Sequence, residues 1–303
     1  MSKLLILAHN MDEYTRRIGQ ADLPYLEIVT SPAECDIVLG EPRMVREALP
    51  HLPDLKWVQS IYAGVEPLVD PTQRRDYVLT NARGVFGSSM SEFVFGYMLF
   101  FKKRIQERIQ AQQARKWDHL DGGLLRGRTI GLLGVGSIGS HLAKTAKHFG
   151  MIVRGFTRES EGCPHVDKYY HGNNLLDFVG GLDYLVSVLP RTEETNQIVN
   201  AELLDALSSH AVFINVGRGN AVDESALVEA LEQNKIAGAV LDVTVQEPLP
   251  EEHPFWTTPN LFLTFHTSAM SYPEDITELF IENYKLFIEG KPLKYRVDFE
   301  RGY

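Results

Sequence analysis

A chain of 303 residues with 44% hydrophobic residues is long enough for two domains that each bury a core. Its formal net charge of −10 argues against nucleic acid as a partner, because a phosphate backbone requires a basic binding face. The two cysteines form neither a CxxC pair nor a disulfide framework, and no apolar run is long enough to span a membrane. The apolar run 4–8 is also too short for a signal peptide. These features predict a cytoplasmic protein that binds neither nucleic acid nor membrane.

Short apolar runs recur in the N-terminal part of the chain and predict a parallel sheet. They lie at residues 4–7, 37–39, 57–61 and 77–79, separated by helical or loop stretches that contain Pro, Asp and Glu. Residues 89–116 follow as one long predicted helix without proline, and its first half is apolar on nearly every side. Such a helix lies either in a core or in a subunit interface, and the interface alternative predicts a homodimer.

A second α/β unit is predicted from Thr129 to about His266. Its strands are six apolar runs, at 130–133, 152–156, 184–188, 212–216, 239–243 and 261–264. Six parallel strands with helices between them suit a doubly wound sheet. One more helix is predicted at about 273–289, because Gly290 and Pro292 end the helical pattern.

The stretch after the first of these six strands has the pattern of a dinucleotide-binding turn. Gly134, Gly136 and Gly139 follow in the spacing GxGxxG, and a helical pattern comes next. In such a βαβ unit the first glycine forms the tight turn and the second lets the backbone approach a pyrophosphate. The third allows close packing of helix on strand. The N-terminus of the helix directs a partial positive charge at the phosphates.

The end of the second strand indicates which cofactor is bound. An NAD site usually has Asp or Glu there, about twenty residues after the glycines, to hold the ribose 2′-hydroxyl. This chain has Thr157 and Arg158 instead. A hydroxyl and a guanidinium suit a 2′-phosphate, so the sequence favours NADP(H) and leaves NAD(H) as the alternative.

Four residues that suit the reduction of a 2-oxo acid lie at or just after the carboxyl ends of the later predicted strands: Arg218, Asp242, Glu247 and His266. The carboxyl ends of parallel strands meet at the ligand crevice of an open α/β sheet. An arginine can clamp a carboxylate through two hydrogen bonds, and a protonated histidine can donate to a carbonyl oxygen. A carboxylate beside the histidine keeps it charged and oriented. Each residue alone also fits a structural role, and their joint placement favours the catalytic one.

The order of these and other motifs resembles the D-isomer-specific 2-hydroxyacid dehydrogenases, a family that includes glyoxylate/hydroxypyruvate reductases. The motifs are the stretches 62–65, 80–85, 189–195, 215–219, 241–250 and 264–269. The resemblance implies two doubly wound parallel-sheet α/β domains. A Rossmann cofactor domain (91–272, including the long helix 91–116) is inserted into a flavodoxin-like substrate domain (1–90 and 273–303). Members commonly form dimers through the long helix.

The same resemblance implies roles for individual residues. Arg218 binds the substrate, His266 donates the proton, and Glu247 supports His266 in that role. Asp242 holds the nicotinamide carboxamide. The backbone amides that face the substrate carboxylate belong to Ala63, Gly64 and Val65. Besides the glycines, Thr157, Arg158 and Asp242, the implied cofactor contacts are Ser137, Ile138, Leu189, Pro190, Thr195, Val216, Gly217 and His266.

The chain departs from the family pattern at two of these sites. Thr157 replaces the strand-end acid, and Phe265 stands where proline is usual before the histidine. Cys163, His165 and His171 fit no zinc spacing and are interpreted as a loop, so no metal site is predicted. The sequence therefore predicts NADPH-dependent reduction of a small 2-oxo acid to the D-2-hydroxy acid. The alternatives are a reductase of bulkier 2-oxo acids and a non-catalytic NADP-sensing protein.

Overall fold

The structure, a computed structural model, describes residues 1–158 and 160–302. The chain forms two compact units: one consists of Met1–Phe86 and the chain from Met270 onward, the other of Gly87–Ala269. The second unit is therefore inserted into the first. The sequence places the corresponding boundaries a few residues later, at 90/91 and 272/273.

The helices and strands follow one another in an alternating order. The first unit begins with β1 (Ser2–Leu7), α1 (Met11–Gln20), β2 (Leu26–Val29), β3 (Ile37–Gly40), α2 (Pro42–Ala48), β4 (Trp57–Ser60), α3 (Glu66–Val69) and β5 (Val78–Thr80). The second unit contains α4 (Gly87–Lys102), α5 (Ile105–Gln113), β6 (Thr129–Leu133), α6 (Ser137–His148), β7 (Ile152–Phe156), β8 (Lys168–Tyr170), α7 (Leu175–Val179), β9 (Tyr184–Ser187), α8 (Ala201–Ala206), β10 (Val212–Asn215), α9 (Glu224–Glu232), β11 (Gly238–Leu241) and β12 (Leu261–Leu263). The first unit ends with α10 (Pro273–Ile288).

The first unit has one parallel sheet with the strand order β2-β1-β3-β4-β5. This is the flavodoxin-like doubly wound order. Every residue of β3 and β4 is buried, as expected for parallel strands that helices cover on both faces. Trp57 of β4 stacks on Phe280 of α10 with ring centroids 5.2 Å apart, so the C-terminal helix completes this core.

The second unit has a seven-stranded parallel sheet in the order β12-β11-β10-β9-β6-β7-β8. Two apolar clusters cover its faces: Leu185 and Phe213 belong to one, and Val186 and Ile214 to the other. The order reverses between β6 and β9, and open α/β sheets bind ligands outside the carboxyl ends of their strands at such a point. The predicted fold of two doubly wound parallel-sheet domains is confirmed.

Two short edge strands were missing from the sequence prediction. β2 lies at the edge of the first sheet and β8 at the edge of the second, so the second sheet has seven strands rather than six. β8 reads Lys168-Tyr169-Tyr170 and begins with an exposed lysine. Strands this short carry too little apolar alternation to be recognised without their neighbours.

The predicted long helix 91–116 is wrong in one respect, because the structure breaks it in two. α4 ends at Lys102, and Arg104 has a φ of +53°, in the left-handed region that interrupts a helix. α5 then begins at Ile105. The Arg108 side chain donates a hydrogen bond from Nε to the Lys103 carbonyl oxygen at 2.8 Å, which satisfies an acceptor at the break.

Within residues 1–158 and 160–302, no helix has the length and apolar character needed to cross a membrane. The same part of the chain contains no group of three or more His, Cys, Asp or Glu residues placed to hold a metal ion.

Candidate active site

Three glycines shape the turn between β6 and α6. Gly134 has a φ of +95°, a left-handed conformation that favours glycine. A Cβ on Gly139 would lie 2.3 Å from the carbonyl oxygen of Gly134, so a larger residue could not let α6 pack this closely on the turn. A Cβ on Gly136 would meet nothing within 4 Å, so the backbone there faces open space. A pyrophosphate can approach the turn from that side.

α6 begins directly after this turn, with Ser137 and Ile138 in its first helical positions. In the part of the chain that the structure describes, no side chain caps this end of the helix. The first N–H groups of a helix lack intrahelical acceptors and carry a partial positive charge. The turn and the helix end together fit the pyrophosphate of a dinucleotide.

Thr157 and Arg158 lie at the carboxyl end of β7. The Thr157 hydroxyl donates to the carbonyl oxygen of Ser160 at 2.8 Å. The Arg158 guanidinium forms an ion pair with Glu194, which lies in the segment that follows β9. Because β6 lies between β7 and β9 in the sheet, this ion pair connects the two strand ends on either side of the glycine turn.

The segment after β9 contains three more of the predicted cofactor contacts. The Thr195 hydroxyl donates to the carbonyl oxygen of Pro190 at 2.8 Å, and only 9% of the residue is exposed. Thr195 therefore fixes the shape of this segment. A Cβ on Gly217 would lie 2.7 Å from the backbone nitrogen and oxygen of Leu189, so the two backbones touch. Val216, next to Gly217, is buried.

A tight turn after β10 presents Arg218. The buried Asn215 side chain accepts from the Gly217 N–H at 3.1 Å and donates to the Arg218 carbonyl oxygen at 3.0 Å. Arg218 itself is partly buried, and its Nη1 donates to the Gly217 carbonyl oxygen at 2.8 Å. The arginine is thus held at the carboxyl end of β10 by its own turn.

Glu247 and His266 form the direct contact at the centre of the predicted catalytic set. Nδ1 of His266 lies 2.8 Å from Oε2 of Glu247, and Oε1 of Glu247 accepts from the backbone N–H of Thr244 at 3.1 Å. A carboxylate accepts hydrogen bonds, so Nδ1 carries a proton in this pair, and Nε2 lies on the opposite side of the ring. The two side chains are 53% and 40% exposed, which leaves the imidazole accessible to a substrate.

The backbone of Gly219 connects the Arg218 turn to the segment that carries Glu247. A Cβ on Gly219 would lie 2.0 Å from the carbonyl carbon and oxygen of Thr244. The two backbones can touch only because this residue has no side chain.

Asp242 organises the segment that carries His266. Its Oδ1 accepts hydrogen bonds from the Thr264 hydroxyl and from the N–H groups of Thr267 and Ser268, at 2.7, 2.8 and 3.0 Å. Its Oδ2 accepts from the Ser268 hydroxyl at 2.5 Å, and its carbonyl oxygen accepts from the His266 N–H at 2.6 Å. The predicted contact of Asp242 with the nicotinamide carboxamide stays a prediction.

Phe265 and His266 both have left-handed backbones, with φ of +57° and +59°. Proline is restricted to a φ near −65°, so the usual proline could not occupy position 265 in this conformation. The Phe265 ring is 66% exposed and stacks on Trp256 with ring centroids 5.9 Å apart. Trp256 is itself anchored by a hydrogen bond from Nε1 to the Pro250 carbonyl oxygen at 2.8 Å.

The predicted substrate loop belongs to the first unit, where it follows β4. The Asn81 side chain donates to the Ala63 carbonyl oxygen at 2.9 Å and holds the loop beside the end of β5. Val65 is buried and precedes α3. Within residues 1–158 and 160–302, no acceptor pairs with the N–H groups of Ala63 and Gly64. These two amides are suited to an anionic ligand.

Three residues that shape the site were missing from the predicted set: Asn215, Gly219 and Glu224. Glu224 lies in the first turn of α9 and accepts from the Val245 N–H at 2.9 Å. Its other carboxylate oxygen lies 3.3 Å from Nε2 of His253. Glu224 therefore fixes the segment around Glu247. Asn215 and Gly219 belong to the motif 215–219, whereas no local pattern marks Glu224.

A family model matches residues 95–268 of the chain. Its description is D-isomer specific 2-hydroxyacid dehydrogenase, NAD binding domain. The matched range includes the glycine turn, Arg218, Glu247 and His266.

Whole-chain relatives agree with this match. The chain is 32% identical over 281 residues to glyoxylate/hydroxypyruvate reductase A of Serratia proteamaculans, covering 90% of this chain and 88% of that protein. A D-isomer specific 2-hydroxyacid dehydrogenase family protein of Aeromonas salmonicida has a similar crystal structure, with a TM-score of 0.93 and 41% identity over 98% of this chain and 99% of that chain. The NADPH-dependent glyoxylate/hydroxypyruvate reductase of Sinorhizobium meliloti, solved with NADP and sulfate, has a TM-score of 0.89 and 27% identity, with both chains covered completely.

Proposed function

This chain belongs to the D-isomer specific 2-hydroxyacid dehydrogenase family of NAD(P)-dependent oxidoreductases, and we propose that it reduces a small 2-oxo acid with NADPH. The substrate is of the glyoxylate or hydroxypyruvate type, and the product is the D-2-hydroxy acid. The observation that carries this proposal is the 2.8 Å contact between His266 and Glu247. The segment that carries Glu247 also contacts the Arg218 turn, where Gly219 lies against Thr244. Relatives named glyoxylate/hydroxypyruvate reductase support the substrate class.

The proposed reaction needs a carboxylate anchor and a proton donor. Arg218 binds the carboxylate of the 2-oxo acid through its guanidinium fork. When bound, NADPH supplies a hydride to the carbonyl carbon. Nε2 of His266 donates a proton to the carbonyl oxygen, which becomes the hydroxyl group of the product. Glu247 holds the ring by its Nδ1 and stabilises the charge of the imidazolium.

The cofactor contacts are proposed from the placement of the same residues. The glycine turn and the first residues of α6, Ser137 and Ile138, hold the pyrophosphate. Thr157 and Arg158 face the adenosine ribose and its 2′-phosphate. The segments that complete the crevice contain Leu189, Pro190, Thr195, Val216, Gly217, Asp242 and His266. NADP(H) is the cofactor that fits this set, and NAD(H) is the alternative.

The family resemblance also implies a carboxylate-binding role for the loop after β4 in the first unit, and we propose that role for it here. The N–H groups of Ala63, Gly64 and Val65 are the proposed donors.

The test measures NADPH oxidation with glyoxylate, hydroxypyruvate, pyruvate, phenylpyruvate and a branched 2-oxo acid. His266→Ala should lower kcat by about 10²–10⁴-fold, the usual range for a positioned acid. The matched control is His210→Ala, because the His210 side chain is 61% exposed and contacts Asp183, a residue with no part in the proposed reaction. The control should keep the activity of the parent. A folded His266→Ala variant with the parent kcat would exclude His266 as the proton donor.

A reductase of bulkier 2-oxo acids is a second candidate, because the exposed Trp256–Phe265 stack lies directly beside His266 in the chain. Aromatic rings of this kind favour an apolar substituent on the substrate. A kcat/KM for phenylpyruvate above that for glyoxylate would support this candidate. Turnover of no 2-oxo acid, with NADPH still bound, would instead support a cofactor-sensing protein.

We propose that the chain forms a homodimer and that α4 lies in the interface. One side of this helix is buried in the core of the second unit through Val94, Phe95 and Met98. Its other side lines an apolar groove of about 400 Å³ together with Phe262. A second copy of the chain is the proposed occupant of the groove, and light scattering at micromolar concentration should give twice the mass of the chain. A monomer under these conditions would contradict the proposal.

A further inference from the structure

The ends of the neighbouring strands β7 and β8 bring a histidine next to the proposed ribose-binding residues. Phe156 and Tyr170 are paired in the sheet, and the residues that follow them are Thr157 and His171. The Thr157 N–H donates to the Tyr170 carbonyl oxygen at 3.1 Å and extends the pairing by one step. From its sequence context alone, His171 was interpreted as a loop residue.

Both ring nitrogens of His171 face hydrogen-bond acceptors. Nδ1 lies 3.0 Å from the carbonyl oxygen of Thr157, and Nε2 lies 2.8 Å from Oε1 of Glu161. The Thr157 hydroxyl is also near Nδ1, at 3.3 Å, but its proton is donated to Ser160. Both contacts are hydrogen bonds only when both ring nitrogens carry protons, so this environment selects the imidazolium form.

The surroundings of the His171 ring also favour its protonated form. The hydrogen bond to Glu161 raises the pKa of His171 most, the Thr157 carbonyl raises it further, and burial opposes the shift. The backbone of Arg158 adds to the rise. On the face of the ring lies Tyr169, stacked at 6.3 Å, whose hydroxyl is bound to the backbone of Cys163. Among residues 1–158 and 160–302, Glu161 is the charged side chain with the largest effect on the ring.

We propose that protonated His171 is a second cation, beside Arg158, that recognises the 2′-phosphate of NADP(H). Each cation is paired with an exposed carboxylate in this structure, His171 with Glu161 and Arg158 with Glu194. Exposed ion pairs of this kind contribute little stability, so a phosphate dianion can replace the carboxylates at low cost. The proposal rests on the use of NADP(H) and is independent of the 2-oxo acid reaction.

The charge of His171 determines how the Kd for NADPH should change with pH. Deprotonation of His171 at higher pH removes one cation, so the Kd for NADPH should rise with pH while the Kd for NADH stays constant. The 2′-phosphate is already a dianion above about pH 6, so it does not titrate between about pH 7 and about pH 9. Loss of one charge-assisted contact corresponds to about a 10–100-fold change in Kd.

The experiment is calorimetric titration of the full chain with NADPH and with NADH, across that pH range and without a 2-oxo acid. His171→Gln should weaken NADPH binding at about pH 7 and abolish its pH dependence, with NADH binding unchanged. His171→Lys keeps a charge up to about pH 10 and should restore part of the NADPH affinity at high pH. His165→Gln, the same change in the same segment, should behave like the parent.

Two results would overturn the proposal. An NADPH Kd and pH dependence that are unchanged in His171→Gln would show that the ring does not contact the phosphate. Equal weakening of NADPH and NADH in His171→Gln would show that the histidine only supports the loop. Because neither measurement uses a 2-oxo acid, failure of the proposed reductase activity would leave this test intact.

Discussion

Gly219→Ala tests whether the contact between the Arg218 turn and the Glu247 segment positions the catalytic groups. The new Cβ would lie 2.0 Å from the carbonyl carbon and oxygen of Thr244, whereas ordinary contacts begin near 3.4 Å. The two backbones must therefore separate by more than about 1 Å. The Thr244 N–H holds Glu247, and Glu247 holds His266, so the displacement reaches the proposed acid.

The expected loss follows from this geometry. A misplacement of about 1 Å in a catalytic site can lower kcat by roughly 10²-fold. Overpacking should also lower the free energy of unfolding by about 1–3 kcal/mol. NADPH should still bind, because the glycine turn after β6 is not touched by the substitution. The assay combines kcat at saturating NADPH, the Kd for NADPH and a denaturant unfolding curve.

Gly19→Ala is the matched control. A Cβ at Gly19, in α1, would meet nothing within 4 Å. Replacing a helical glycine by alanine should stabilise the chain by about 0.5–1 kcal/mol and leave kcat unchanged. A folded Gly219→Ala variant with the kcat of the parent would refute the positional role of this contact.

Three further substitutions have clear expected outcomes. Phe265→Pro should lose most activity and stability, because proline cannot adopt a φ of +57°, whereas Phe265→Gly should retain activity in the same kinetic assay. Asp242→Asn replaces an acceptor by a donor among the N–H and hydroxyl groups of Thr267 and Ser268, so denaturant unfolding should show a loss of about 1–3 kcal/mol. Arg218→Lys keeps the charge but loses the planar fork, so kcat/KM for 2-oxo acids should fall sharply, and a parent-like value would contradict the bidentate clamp.

The features that the sequence predicted well are those with local patterns. The glycine spacing after β6 predicted both the turn and the start of α6, because the pattern occupies six consecutive residues. The longer buried strands were recognisable as continuous apolar runs. The fixed order of motifs predicted the family, because the ordered set is far more specific than any one motif.

The remaining features depend on residues that are distant in the sequence. The break at Arg104 has no glycine or proline to mark it. The hydrogen bonds of Asp242 reach residues more than twenty positions later, and the approach of Gly219 to Thr244 depends on how two loops pack. His171 acquires its two acceptors only through the pairing of β7 with β8. A single sequence carries no local signal for any of these contacts.

The two-segment construction of the first unit affects the order in which the chain can fold during synthesis. Trp57 and Gln59 of β4 find partners in Phe280 and Asn283 of α10, and Tyr284 donates to the Pro24 carbonyl oxygen at 2.8 Å. A ribosome delivers these partners more than two hundred residues after β4. The inserted unit has its whole sequence available earlier, and domains generally fold as units in the order of synthesis. Until α10 has been synthesised, Trp57 of the first unit therefore lacks its aromatic partner. We expect the nascent chain to be most prone to aggregation, and most accessible to chaperones, during this period.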